Sequence, residues 1–214
     1  MNNKANRYTV PSDEDFEPDS NQQVLKNYLG IKSKQGIETI EAQELMRTAL
    51  ELLDIFDDNH RFTAEDICNI HEYWLGDIYP CAGKYRSVNM EKAGFPFASP
   101  LRIEKLMHEF EIKYLKQYTP CHIANTQDLA FALGIVHVEL IIIHPFREGN
   151  GRTARLLADL MSMQANNPPL NFTPIDQSNP ENFNRYIVAI HAGFNGDYSK
   201  IQKIFMELLI ADKD

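Results

Sequence analysis

Apolar residues recur at helical spacing along most of the chain. From Thr39 to Phe56, the residues Leu45, Met46, Ala49, Leu52, Leu53 and Phe56 fall on one stripe, which predicts an amphipathic helix. A shorter amphipathic piece, Gln22 to Leu29, precedes it and stops at Gly30. Thr63-Ala-Glu-Asp reads as a helix start, with Thr63 as the cap and Asp66 three residues on as a weaker partner than the usual Glu. That helix is expected to carry Ile67, Ile70 and Trp74 and to end near Leu75. Helical spacing resumes from Leu101 to Tyr118 and from Gln127 to Ile143. A further helix starting near Gly151 or Arg152 turns Leu156, Leu157, Leu160 and Met161 toward the core and ends at the Pro-rich NNPPLNFTP. The segments Asn182–Phe194 and Ser199–Ala211 complete the helical set. Residues 83–98 (GKYRSVNMEKAGFPFA) differ: Tyr85, Val88, Phe95 and Phe97 flank an Ala-Gly turn, as in a short β-hairpin. Pro96 cannot donate to a ladder, so its strand must be an edge. The expected fold class is all-α, a helical bundle with one inserted hairpin.

Composition narrows this. A chain of 214 residues suits one substantial core, so residues 22–214 are read as a single domain, with the acidic, polar residues 1–21 as a loosely attached arm. With 43% hydrophobic and 24% charged residues it has the make-up of a soluble globular protein. The net charge of −9 disfavours non-specific affinity for nucleic acid. Cys68, Cys81 and Cys121 form no CxxC pair, which suggests neither a zinc site nor a disulfide framework and fits a reducing cytoplasm. The N-terminus has no apolar signal segment. The longest nearly apolar run, Leu129 to Ile143, is about fifteen residues against the roughly 20 needed to span a bilayer.

One stretch stands apart: His144-Pro-Phe-Arg-Glu-Gly-Asn-Gly-Arg-Thr-Ala-Arg155 lies between two strongly apolar helical segments. Polar groups there are costly unless partnered. Gly149-Asn-Gly151 can take positive-φ conformations that aim successive N–H groups at one point, and the helix that follows adds a dipole favouring an anion. Arg152 and Arg155, three apart, share neighbouring edges of its first turn. These are the parts of a polyphosphate site. Glu148 would repel a bare phosphate, but with Mg²⁺ between them it becomes a metal ligand. His144 titrates near neutrality and fits a general base. The set describes nucleotide transfer to a protonated nucleophile.

The stretch resembles the Fic family motif, HxFx[DE]GNGRxxR, at every specified position. GKYRSVNMEKAGFPFA resembles the family's flap, and NFNRYIVAIHAGFNGDY the helix and turn that close its nucleotide pocket, so the resemblance runs from about residue 60 to 200. It implies a Fic-type helical bundle and a protein adenylyltransferase that moves AMP from ATP-Mg²⁺ to a Tyr, Thr or Ser hydroxyl. By residue, it implies that His144 is the base and Glu148 holds Mg²⁺. Gly149, Asn150 and Gly151 hold phosphates and stabilise charge, Arg152 holds the β-phosphate, and Arg155 orients the γ-phosphate. His144, Asn150 and Arg152 are thus the implied catalytic residues. Phe146 anchors the loop, Tyr186 is assigned to the adenine side, and Lys92, Ala93, Gly94 and Phe95 in the flap bind the target by strand addition.

Kinase relatives carry a lysine where this chain has Gly151, so AMP transfer is favoured, while UMP or phosphocholine transfer, or a binding module without turnover, are the alternatives. The family's inhibitory pattern, [ST]xxxE[GN], is missed at both ends: Thr39 meets Gln43, and Ser199 meets Lys203. The implied inhibitor is a separate small antitoxin that supplies a glutamate to Arg155. A bacterial toxin that causes filamentation is the implied biology. His137 is read as a satisfied core histidine and Glu139 as answering a buried partner. His71-Glu72 begins like a zinc-protease HExxH but meets Leu75, so that reading fails.

Overall fold

The computed structural model describes residues 15–92 and 95–211. Helix α1 spans Lys34–Ile55 and α2 spans Ala64–Leu75. A hairpin follows, β1 (Glu91–Lys92) antiparallel to β2 (Phe95–Pro96), with Lys92 opposite Phe95. Helix α3 (Ile103–Phe110) runs through a π turn at Glu111–Leu115 into α4 (Lys116–Tyr118). The remaining helices are α5 (Thr126–Ile143), α6 (Asn150–Gln164), α7 (Pro180–Phe194) and α8 (Ser199–Ala211).

Helix α5 is the axis of the fold. It is apolar on all sides, the pattern of a helix surrounded by others, and α3, α6, α7 and α8 pack around it. By length and composition it could reach across a bilayer, yet it lies at the centre of the bundle. The capping box at the start of α2 forms as expected. The Asp66 N–H donates to Thr63 Oγ1 at 3.1 Å and the Thr63 N–H to Asp66 Oδ2 at 2.8 Å.

Three sequence expectations are corrected. Helix α1 starts at Lys34, capped by Ser33, and turns Ile37, Glu41, Thr48 and Leu52 inward; Met46 and Leu53 of the expected stripe point to solvent. The buried face runs through Glu41 and Thr48 because both find partners there. Residues 15–21 of the expected loose arm are packed: Phe16 bridges Leu25, the Glu17 N–H donates to the Val24 carbonyl, and Ser20 is buried. Residues 1–14 of that arm lie outside the described residues, as do Ala93 and Gly94 at the hairpin tip. The third correction is that Gly151 is helical, and Gly149 alone of the GNG triplet has positive φ.

A second apolar cluster sits beside the main core. Val24, Leu25, Ile37, Trp74, Ile78 and Tyr79 join the N-terminal segment and α1 to the end of α2. This brings α1 against the first turn of α6.

Candidate active site

Helix α5 ends at His144, which takes a left-handed conformation (φ 52°, ψ 59°) and whose N–H donates to the Leu140 carbonyl. Strain of that kind persists only where the surroundings over-determine it, and here they do. The Arg86 guanidinium donates from Nε to the His144 carbonyl at 2.7 Å, and the Arg86 N–H donates to the Pro145 carbonyl at 2.8 Å. Other Arg86 nitrogens donate to the carbonyls of Val88 and Ala98, so this buried side chain rivets the hairpin to the motif loop.

The loop is fixed from within by Asn150, whose Oδ1 accepts from the Phe146 N–H and whose Nδ2 donates to the Phe146 carbonyl, both at 2.8 Å. Its side chain is therefore turned away from the cavity. With that side chain committed to the loop, what Asn150 has left to offer a ligand is its backbone N–H at the start of α6. Phe146 is buried as expected and stacks on His71 at 3.9 Å between centroids. His71 Nδ1 accepts from the Gly83 N–H, so Nε2 carries the proton and donates to the Glu148 carbonyl at 3.0 Å.

No side chain caps α6, and Gly149 precedes it at φ 78°. A Cβ on Gly149 would lie 2.7 Å from the Trp74 ring, whereas one on Gly151 would meet nothing within 4 Å and would enter the cavity. Gly149 is thus required by backbone and packing, whereas at Gly151 the fold itself would accept a side chain.

A cavity of about 490 Å³ lies over this helix start, within the range typical of ligand sites. Glu148, Gly149, Gly151, Arg152 and Arg155 form its floor; Lys92, Phe95, Phe97 and His144 form the hairpin side; α7 and the loop before it close the third wall. Arg155 lies 5.2 Å over the Phe172 ring and Arg152 4.5 Å over the Trp74 ring. The structure thus brings His144, Glu148, Gly149, Gly151, Arg152, Arg155, Tyr186, Lys92 and Phe95 to one space.

His144 is buried, and Phe97 stacks on its ring at 3.6 Å. Its Nδ1 faces the Ile141 carbonyl at 3.1 Å, which places the proton on Nδ1 and leaves Nε2 as the basic nitrogen. Burial pushes its pKa down to about 3, partly opposed by that carbonyl. His137 is the satisfied core histidine expected: Nε2 accepts from the Tyr186 hydroxyl at 2.8 Å, fixing the tyrosine on the cavity wall. Glu139 meets the Tyr198 hydroxyl at 2.5 Å.

Of the three carboxylates that border the cavity, Glu38, Glu148 and Asp176, Glu148 lies beside the start of α6 and suits Mg²⁺, which takes one or two carboxylates and completes its shell with phosphate oxygens and water. Its Oε1 accepts from the Gly149 N–H at 2.9 Å and lies 3.5 Å from Arg152.

Sequence reasoning gives Glu41 and Arg86 no role, and it meets His71 only as a failed HExxH and Phe97 only as a hairpin flank. Glu41 alone carried a signal, a carboxylate in i, i+4 register with Ile37 and Leu45.

Comparison with known proteins finds relatives of one family. Residues 61–162 match the Fic/DOC family. The protein adenylyltransferase Fic of Nematostella vectensis is 35% identical over 150 residues, 69% of this chain and 34% of that protein. The protein adenylyltransferase VbhT of Bartonella schoenbuchensis is 31% identical over 141 residues, 62% of this chain and 27% of that protein. This chain therefore spans about a third of the length of these curated relatives. A crystal structure of the N-terminal Fic domain of a Bartonella quintana cell filamentation protein with bound ADP superposes with a TM-score of 0.73 at 23% identity, covering 91% of this chain and 94% of that one.

Proposed function

We propose that this chain, which belongs to the Fic/DOC family, is a protein adenylyltransferase that moves AMP from ATP to a side-chain hydroxyl of another protein. One observation carries the reading: a buried histidine, a carboxylate, an uncapped helix start and two arginines share one cavity. The relatives' names as adenylyltransferases support the same chemistry.

The polyphosphate is taken by the N–H groups that open α6 and by Arg152 and Arg155, a cationic floor that fits a triphosphate beside a side-chain-free Gly151. Glu148 holds Mg²⁺, which when bound neutralises phosphate charge. The base lies against Tyr186 and the apolar face of α7. The target hydroxyl is then held near His144 Nε2 by the hairpin, through Lys92 and Phe95. As its oxygen attacks the α-phosphorus, its proton passes to Nε2, the bond to pyrophosphate breaks, and the arginines keep the departing charge. A base held neutral by burial is ready before substrate arrives, and the anion bound beside it raises its proton affinity.

The reading includes a cytoplasmic protein, a toxin role and a separate small partner that supplies a glutamate to Arg155. Among the described residues, the carboxylates ion-paired with a motif arginine contact Arg152 and Arg147.

The test uses ATP labelled at the α- or γ-phosphate, Mg²⁺, and lysate as target source, with His144→Ala alongside. Label from α-ATP that disappears in the variant supports AMP transfer. Label from γ-ATP alone refutes it in favour of a kinase.

A further inference from the structure

We infer that Glu41 of α1, outside the matched family region, is a positioning residue that holds Arg152 in its phosphate-binding orientation. The inference rests on the adenylyl-transfer reading. Glu41 is 3% exposed, and its Oε2 lies 2.8 Å from Arg152 Nη2. The contact is electrostatic, because its angle falls outside hydrogen-bond geometry and leaves that buried nitrogen without a hydrogen-bond partner. Glu41 is itself fixed twice: Oε1 accepts from the Tyr79 hydroxyl at 2.6 Å, and its carbonyl accepts from Trp74 Nε1 at 2.9 Å. Trp74 then presents its ring face to the same guanidinium at 4.5 Å. Glu41, Tyr79 and Trp74 thus form one rigid back wall behind a long, rotamer-rich side chain.

The geometry separates positioning from obstruction. Glu41 is not among the residues that border the cavity, whereas Arg152 is. A carboxylate that blocked the phosphate position would border the cavity on the ligand side. This one lies off the cavity lining, to which Arg152, Glu148, Gly149 and Gly151 contribute. Glu41 and, at 3.5 Å, Glu148 both reach Arg152 Nη2, and the arginine side chain remains 21% exposed. Positioning matters here because misplacement of a transition-state contact by about 1 Å costs on the order of a hundredfold in rate.

The test is a double-mutant cycle with Glu41→Gln and Arg152→Ala, scored by AMP transfer at saturating ATP and by melting temperature. Glutamine keeps the shape and can still accept from Tyr79. If Glu41 acts through Arg152, Glu41→Gln slows transfer about ten- to a hundredfold with native arginine and has no further effect once Arg152 is alanine. Equal loss in both backgrounds, or faster transfer in Glu41→Gln, overturns the inference. Tyr79→Phe, which frees the carboxylate without removing it, is expected to give a smaller loss that also vanishes in Arg152→Ala. A second arm needs no turnover. The ¹⁵N-detected Nε–H signal of Arg152, assigned by its loss in Arg152→Lys, is expected to be distinct in the native protein and averaged in Glu41→Gln. An unchanged signal overturns the inference even if AMP transfer is sound. Native protein that binds ATP without transferring AMP refutes the activity, and the signal still decides the role of Glu41.

Discussion

Lowering the pH from 6.5 to 5.5 is expected to remove about 3 kcal/mol of folding stability, because three histidines are buried without charge. His71, His137 and His144 are 1%, 1% and 4% exposed. Burial is the main cause in each case, and it lowers their pKa values from 6.5 to about 4, 3 and 3. In this window the unfolded chain takes up protons that the folded protein refuses, so stability is fully present above pH 6.5 and falls as the pH falls toward the folded values. Each histidine contributes about 1 kcal/mol over that one unit, and about 2 kcal/mol by pH 5. Set against the 5–15 kcal/mol of a typical domain, three such groups bring the fold near its limit at mildly acid pH. Glu139, whose carboxyl burial raises, contributes with the opposite sign. Asp176 and the exposed Asp197, held low by Ser178 and Ser199, lose their contribution only at lower pH. Urea titrations at buffered pH between 7 and 5.5 measure the slope directly. His137→Gln is expected to lower that slope by about a third. A total loss under about 1 kcal/mol, or a slope that His137→Gln leaves unchanged, refutes the burial argument.

Three substitutions test the loop. Gly149→Ala combines a strained left-handed backbone with a Cβ 2.7 Å from Trp74 and is expected to cost about 2–4 kcal/mol in urea unfolding. Gly151→Leu meets no such obstacle, so melting temperature should hold or rise while calorimetry shows loss of ATP binding, because the side chain fills the phosphate end of the cavity. Arg86→Ala leaves the carbonyls of His144, Val88 and Ala98 without their donor. It is expected to destabilise by about 3–5 kcal/mol and to abolish label transfer although His144 remains.

The motif loop was legible because its parts are contiguous. A nest, a helix start, a base and two arginines within twelve positions must meet whatever the rest of the fold does. The bundle and its hairpin were legible from periodicity for the same local reason. What sequence could not show depends on what lies across the gap. Asn150 is polar and sits in a phosphate motif, yet its side chain is spent on the Phe146 backbone. Apolar spacing alone places the α1 stripe through Met46 and Leu53, and both are exposed. The true face runs through Glu41 and Thr48, whose partners come from the end of α2. Reading Glu41 correctly required knowing that Trp74, Tyr79 and Arg152 would converge on it.

The central position of α5 has a consequence for how the molecule is made. Its most extensive neighbour, α8, is also the last described helix, Ser199–Ala211. Synthesis runs from the N-terminus at about 5–20 residues per second, so α5 leaves the ribosome several seconds before its cover exists. During that interval a helix as apolar as a membrane span stands with one whole flank bare. The nascent chain is therefore most prone to aggregation just before α8 emerges, and a ribosome stalled inside α8 would strand it there.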